Sequence, residues 1–347
     1  MAVPRDQIVD EIRTLSADLG RPPTAQEWKA HFHHGDSRCR PYGGFAVLRD
    51  EAAAPGFEVD DLPEDVPDVE SLLARRADEY ARVQQYEDAH KLVTVRIKID
   101  GPIAICHHGD PHIDDPGTNI QLLQHNLDLV EATDGMWNAN VGDNRNGWVG
   151  RLAHLYSEQT TTAKEGVRLV EWLLGNYTWL YLVLGNHDLW HGAEDPSRWL
   201  MTHRPTVTAP SQVRIALQFP NKREVRINAR HDYKGWSMWN PAHGPGKAAQ
   251  MGWRDHILTC GHKHVSAMAG PFKCPMTGVL SYALRVAGYK TLDSYARVEG
   301  FPDQNFSPCV VTIIDPDATE ETGLVTVLWD LEMAADFLGW LRKKRVA

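Results

Sequence analysis

The 347-residue sequence is poor in cysteine: Cys39, Cys106, Cys260, Cys274 and Cys309 are widely scattered and form no C-x-x-C pair. An odd, dispersed set excludes a disulfide framework and a thiolate zinc site, and points to reduced, buried thiols. No apolar run reaches the roughly 18 residues that a membrane-crossing helix needs. The opening segment, MAVPRDQIVDEIRT, has charges where a signal peptide would be apolar, so a cytoplasmic protein with no membrane partner is expected. Excess positive charge is also missing. The formal net charge of −10 argues against a general affinity for polyanions, so any nucleic acid must be held by a local patch or by metal ions.

Hydrophobic residues make up 42% and charged residues 24% of the chain, a balance that supports a packed core in one large domain plus a smaller one. Tryptophan is plentiful at 12, and Trp190, Trp199, Trp236, Trp239 and Trp253 are expected as core or cleft walls.

Residues 1–52 read as a small helical domain. Ile8, Ile12 and Leu15 recur at nearly helical spacing between Arg5 and Leu19, and Gly20 ends that helix. Thr24-Ala25-Gln26-Glu27 has the form of a capping box for a second helix, and Tyr42-Gly43-Gly44-Phe45 leads into another. Residues 53–90 form an acidic linker and helix: 53–69 is rich in Pro and acid, and 70–90 is charged and helical in pattern. Residues 91–347 are expected as the catalytic domain. Strands are predicted at LVTVRIKI (92–99), PIAIC (102–106) and near 136–141, 179–184, 213–217, 225–230, 256–260, 309–314 and 324–329. Helices are predicted around 119–132 and 159–176 and from Glu332 to Arg345. Such an order implies an α/β sandwich of mixed β-sheets flanked by helices.

The chemistry sits where these strands end. PIAIC runs into HHGDPHID with Asp110 and His112, and WNANV into GDNRN with Asp143. LYLVL is followed by Asn186 and His187, VRINAR by His231, and HILTC by His262 and His264. Loops beyond the carboxyl ends of strands are where α/β sites collect. Asp110, His112, Asp143, Asn186, His231, His262 and His264 make seven oxygen and imidazole ligands, which exceed what one ion takes but suit two ions sharing a carboxylate, and the absence of thiolate favours Mn, Fe, Zn or Co in a reactive site.

The ordered series Asp110-Pro111-His112, Gly142-Asp143, Gly185-Asn186-His187-Asp188, His231 and Gly261-His262-Lys263-His264 resembles the calcineurin-like metallophosphoesterase superfamily over about residues 90–330. The resemblance implies that family's sandwich fold and two divalent metal ions, Mn foremost, with Fe, Zn, Co or Mg as alternatives. It places Asp110, His112 and His264 on one ion and Asn186, His231 and His262 on the other, with Asp143 bridging. His187 would approach the phosphate as proton donor or charge stabiliser. His243, in NPAHGPG, competes with His231 for the fourth motif and otherwise belongs with Asp188 among groups beside the ligands or the substrate. Many members of the family carry an acidic residue where Asn146 stands. Asn146 is expected to hydrogen-bond to His187 without adding charge.

Ordinary roles are expected for His31, His33 and His34 on a solvated helix face, for Asp114 and Asp115 in a loop or helix start, and for Cys106 and Cys260 in the core. Arg342-Lys343-Lys344-Arg345 suits a helix C-terminus. The N-terminal piece, with its Gly20-Arg21-Pro22-Pro23-Thr24 turn and Gly44-Phe45, resembles the helix-turn-helix repeats found beside homing endonucleases and other phage-type nucleases. That likeness implies DNA as partner, with Arg38, Arg40 and Arg49 as phosphate contacts. Seven Lys/Arg against eight Asp/Glu in residues 1–51 favour no broad basic face, and a helical module packed on the catalytic domain or a protein partner is the alternative.

The function expected is a DNA nuclease, a dinuclear-metal phosphodiesterase. A hydrolase of small phosphoesters such as nucleotides or cyclic nucleotides, and a DNA- or protein-binding factor with a non-catalytic phosphoesterase fold, are the alternatives. Oligomeric state is left open.

Overall fold

The computed structural model describes residues 3–53, 65–192, 195–202, 206–292, 300 and 305–346. The chain divides into two compact units, one ending at Ala77 and one beginning at Asp78. The first holds α1 (Arg5–Leu19), α2 (Ala25–Phe32), α3 (Phe45–Ala53) and the start of α4 (Val69–His90). Ile8, Ile12 and Leu15 of α1 meet Trp28 and Leu48 in one buried cluster. Gly20 closes α1 in the left-handed conformation at φ 64°. At the start of α2 the Thr24 hydroxyl accepts the Glu27 N–H at 3.3 Å, and the Glu27 carboxylate accepts the Thr24 N–H at 2.8 Å. The linker expected at 53–69 lies mostly outside the described residues.

In the second unit the order is β1 (Val93–Arg96), β2 (Ile103–His108), α5 (Ile120–Ala132), β3 (Met136–Asn140), α6 (Ala163–Asn176), β4 (Trp179–Leu184), α7 (Asn186–Leu189) and α8 (Pro196–Thr202). Then come β5 (Val207–Pro210), β6 (Gln212–Gln218), β7 (Glu224–Arg230), α9 (His243–Met251), β8 (Ile257–Cys260), β9 (Ala267–Lys273), β10 (Leu280–Arg285), β11 (Cys309–Ile314), α10 (Glu321–Leu324), β12 (Val325–Leu328) and α11 (Leu331–Val346). The strands make two six-stranded sheets, β1-β6-β7-β8-β10-β9 and β12-β11-β2-β3-β4-β5. Both are mixed: β2, β3, β4 and β5 run parallel in one and β7, β8 and β10 in the other, and each sheet also holds antiparallel pairs.

The sheets face one another across a core that joins Ile103, Ile105 and Tyr181 of one to Ile215, Ile227 and Ile257 of the other. On the outer faces, α5 and α6 cover Leu182 and Leu184, α11 covers Ala104 and Cys106, and α9 packs near Leu258 and Cys260. Strand β2 is therefore buried on both sides. That is why residues 103–106 form a continuous apolar run rather than an alternation, with two buried histidines completing the strand. No helix among the described residues is long and apolar enough to cross a membrane.

Candidate metal centre

The carboxyl ends of β2, β3 and β4 in one sheet and of β7 and β8 in the other bring the motif residues together. Several of the approaches demand glycine, Gly109, Gly142, Gly185 and Gly261 among them. A Cβ on Gly109 would lie 1.5 Å from the Ala287 carbonyl oxygen, and one on Gly185 would lie 2.1 Å from Asp143 Oδ1. His112, Asp143, His262 and His264 all adopt positive φ, at 39°, 55°, 69° and 51°. Non-glycine residues in that region are uncommon, and a cluster of them at one site marks strain held in place by the surrounding fold.

Asp110, His112 and His264 form one candidate ligand group, with His264 Nε2 3.3 Å from Asp110 Oδ2. Asp143, His231 and His262 form a second. In it, His231 Nε2 has Asn186 Oδ1 at 2.8 Å, His262 Nδ1 at 3.0 Å and Asp143 Oδ2 at 3.1 Å. The ring is oriented by its Nδ1–H, which donates to the Val141 carbonyl at 2.9 Å. His243 stands apart: it is exposed at the first position of α9, beside Gly235. Asp143 also forms a candidate group with His112 of the first group and with His187. Its Oδ2 is 3.8 Å from His187 Nε2 and 3.9 Å from His112 Nε2 as well as 3.1 Å from His231, and its Oδ1 accepts the His187 N–H at 2.9 Å.

The donor set fits divalent cations. Ligand atoms around a tetrahedral ion with bonds of about 2.1 Å are about 3.4 Å apart, close to the spacing around His231. Asp110 Oδ1 and His112 Nδ1 are buried without a hydrogen-bond partner, a cost a bound ion would remove. Burial would raise the Asp143 pKa, but His231, and then His187 and His112, hold it well below the usual carboxylate range. Against the opposing effect of burial, Asp143 and Asp110 push His231 up to about 10. A ring that favours a positive charge among three acceptors marks a place where a cation is stabilised.

His187 packs against Trp190 and Trp148, with ring centroids 3.9 and 5.2 Å away. Burial lowers its pKa, opposed by Asp143. The expected link to Asn146 exists through the main chain: His187 Nδ1–H donates to the Asn146 carbonyl. The Asn146 side chain turns away, its Nδ2 donating to Asp115 Oδ2 at 2.9 Å and to Gln159 Oε1 at 3.1 Å. A main-chain carbonyl serves equally well whatever side chain is present, so the identity of residue 146 carries less weight at His187 than its motif position implied.

Asp188 is fully buried behind the site, with its carboxylate accepting main-chain N–H groups from Gly185, Asp143 and Asn144. Asp114 and Asp115 brace the loops: Asp114 accepts the Asn146 N–H at 2.7 Å, and Asp115 pairs with Lys290 at 3.1 Å.

Elsewhere the surroundings differ from expectation. Trp199, Trp236, Trp239 and Trp253 are exposed rather than core, whereas Trp148 and Trp190 stand at the site. His34 is half-buried, not solvated: it contacts Trp28, pairs with Glu11 at 3.1 Å and meets Arg38 Nη1 at 3.1 Å. Arg49 pairs with Asp50 at 3.1 Å, and Arg40 is exposed. Sequence reading also missed Arg285, whose signal was a lone charge ending the apolar strand LSYALR, and the strand histidines His107 and His108.

No protein-family model matches the sequence, and no curated protein does. Among solved structures the chain is similar to the calcineurin-like phosphoesterase YfkN from Bacillus subtilis, with 10% identity over 70% of this chain and 99% of that one, at a TM-score of 0.36. It is similar to Vps29 from Chaetomium thermophilum, with 12% identity over 65% of this chain and 91% of that one, at a TM-score of 0.33. A 5'-nucleotidase from Candida albicans SC5314 shares 11% identity over 70% of this chain and 58% of its own length, at a TM-score of 0.32.

Proposed function

We propose that the chain is a dinuclear-metal-dependent phosphodiesterase acting on DNA. The observation that carries the phosphoesterase reading is the Asp143 carboxylate, which belongs to the group with His231 and His262 and lies 3.9 Å from His112 of the other group. Asp110, His112 and His264 would hold one cation and Asn186, His231 and His262 the other, with Asp143 shared. Bound there, two divalent ions, Mn foremost, would acidify a water and neutralise charge on the phosphoryl oxygens. His187 is fixed through Nδ1 and presents Nε2 on the side of Asp143, where it can hold or pass a proton at the leaving oxygen. Trp148 and Trp190 hold the ring in contact with their own.

DNA as substrate is supported by the helical N-terminal unit with its exposed Arg40. The second reading, small phosphoesters such as nucleotides or cyclic nucleotides, is favoured by Trp148 and Trp190, whose faces suit a single base, and by the engagement of Arg38 and Arg49 with neighbours in their own unit. A purely binding role is disfavoured, because strained, unpartnered ligands cost stability with no return.

The test is turnover by the metal-stripped full chain reloaded with Mn, on single- and double-stranded DNA, a cyclic nucleotide and bis-p-nitrophenyl phosphate, with His187→Ala as control. DNA cleavage lost in the variant is the expected result. Faster turnover of the cyclic nucleotide than of DNA would move the assignment to the second reading. No turnover of any ester would remove both.

A further inference from the structure

We propose that Arg285 is a positioning residue for one half of this centre: it fixes His231 and His262, so that loss of its guanidinium weakens one cation site and spares the other. The inference rests on the dinuclear reading above.

Arg285 ends β10, where the parallel register sets it against Cys260, the last residue of β8. It is completely buried. Its guanidinium makes three bonds, none of them to the apolar core. Nη1 donates to the Gly261 carbonyl at 2.6 Å, Nη2 to Asp232 Oδ1 at 2.9 Å and Nε to the Pro241 carbonyl at 2.9 Å. Gly261 immediately precedes His262, and Asp232 immediately follows His231. The Gly261 N–H donates to the His231 carbonyl at 3.1 Å, so Gly261, through its N–H and its C=O, links the His231 loop to the same side chain. Pro241 closes the segment that leaves His231, and the third bond holds that segment's far end.

Burying a guanidinium is costly unless its donors are met, and an apolar residue would fill a strand end at lower cost. Charge kept here and spent on two loops, each carrying a ligand, points to orientation of those ligands. The first group has further bonds of its own, besides the one that the His262 N–H donates to Asp110 Oδ2 at 2.6 Å. The His112 N–H donates to the Asp143 carbonyl at 3.0 Å, and the Tyr289 N–H to the Asp110 carbonyl at 3.1 Å. His264 shares a loop with His262, but it lies further from Gly261 and is itself paired with Asp110.

The experiment is calorimetric titration of the metal-stripped full chain with Mn2+, for wild type, Arg285→Met, Arg285→Lys, His262→Ala and His264→Ala. Wild type is expected to bind two ions. Arg285→Met should lose about 10–100-fold in affinity at one site, its isotherm following His262→Ala and not His264→Ala. Arg285→Lys, which can keep part of the bonding, should fall between wild type and Arg285→Met. It carries the test if the methionine variant does not fold, as judged by circular dichroism. Two sites weakened equally, or neither weakened, would overturn the assignment. A wild-type chain that binds fewer than two ions would sink the dinuclear reading, and this inference with it.

Discussion

Asp188 accepts the main-chain N–H of Asp143 on its carboxylate at 2.8 Å, although both side chains are acidic and buried. The same carboxylate takes the N–H groups of Gly185 and Asn144 at 2.9 and 3.1 Å, so it fixes the turn that presents Asp143. Burial, with Asp143 adding to it, raises the Asp188 pKa to about 7. Asp188→Ala should destabilise the chain, because each orphaned buried donor costs about 1–3 kcal/mol. It should also weaken Mn2+ binding by about 10–100-fold. Urea unfolding and metal titration check the two effects, and an unchanged midpoint would show that the three N–H groups find other partners.

The fourth-motif ligand can be settled by a pair of variants. His231 lies within 3.1 Å of Asn186, His262 and Asp143, while His243 is exposed on α9. His231→Ala is expected to lower both Mn2+ affinity and turnover, by about a hundredfold or more. His243→Ala should leave both within about threefold, the range of a surface change. The reverse ranking would reassign the ligand.

Asn146 reaches His187 through its carbonyl and not through its side chain. Asn146→Ala should therefore leave the pH dependence of turnover in place while costing stability through the lost bonds to Asp115 and Gln159. Asn146→Asp would set a carboxylate against Asp115 and should be the less stable of the two. A shifted pH profile in the alanine variant, at unchanged metal content, would show that the side chain does act on His187.

His107 and His108 are fully buried in β2, and burial lowers their pKa values to about 3 and about 4. Each ring binds a proton in the unfolded chain near pH 6.5 but resists it when folded. Their contribution to stability is complete above pH 6.5 and is lost as the pH falls towards the folded values, by about 1.4 kcal/mol per pH unit for each ring. Ring carbon shifts in NMR should show both histidines neutral at pH 5. Titration of either near pH 6.5 would contradict this.

Much of the centre is readable along the chain because its pieces are local. A glycine and a ligand directly after a strand-forming run show where a strand stops and a side chain turns inward, and that pattern holds at Asp143, Asn186 and His262. The capping boxes at Thr24 and Thr162 are equally local, each being a bond between residues three apart. Periodicity misjudges His107 and His108. Polar residues after PIAIC read as the start of a loop, whereas Tyr181, Thr312, Tyr289 and Asn138 satisfy their rings and let the strand continue.

The sequence alone thus determined which residue types could bind ions, in what order they arise and on which kind of strand end, since propensity and side-chain period act over a few neighbours. Only the tertiary structure decided which imidazoles share an oxygen with Asp143, that His231 and not His243 joins them, that Asn146 meets His187 through its backbone, and that Arg285 ties two of the loops together. Those outcomes depend on register between strands and on how two sheets face each other, and contacts between residues so far apart in sequence leave no trace in local pattern.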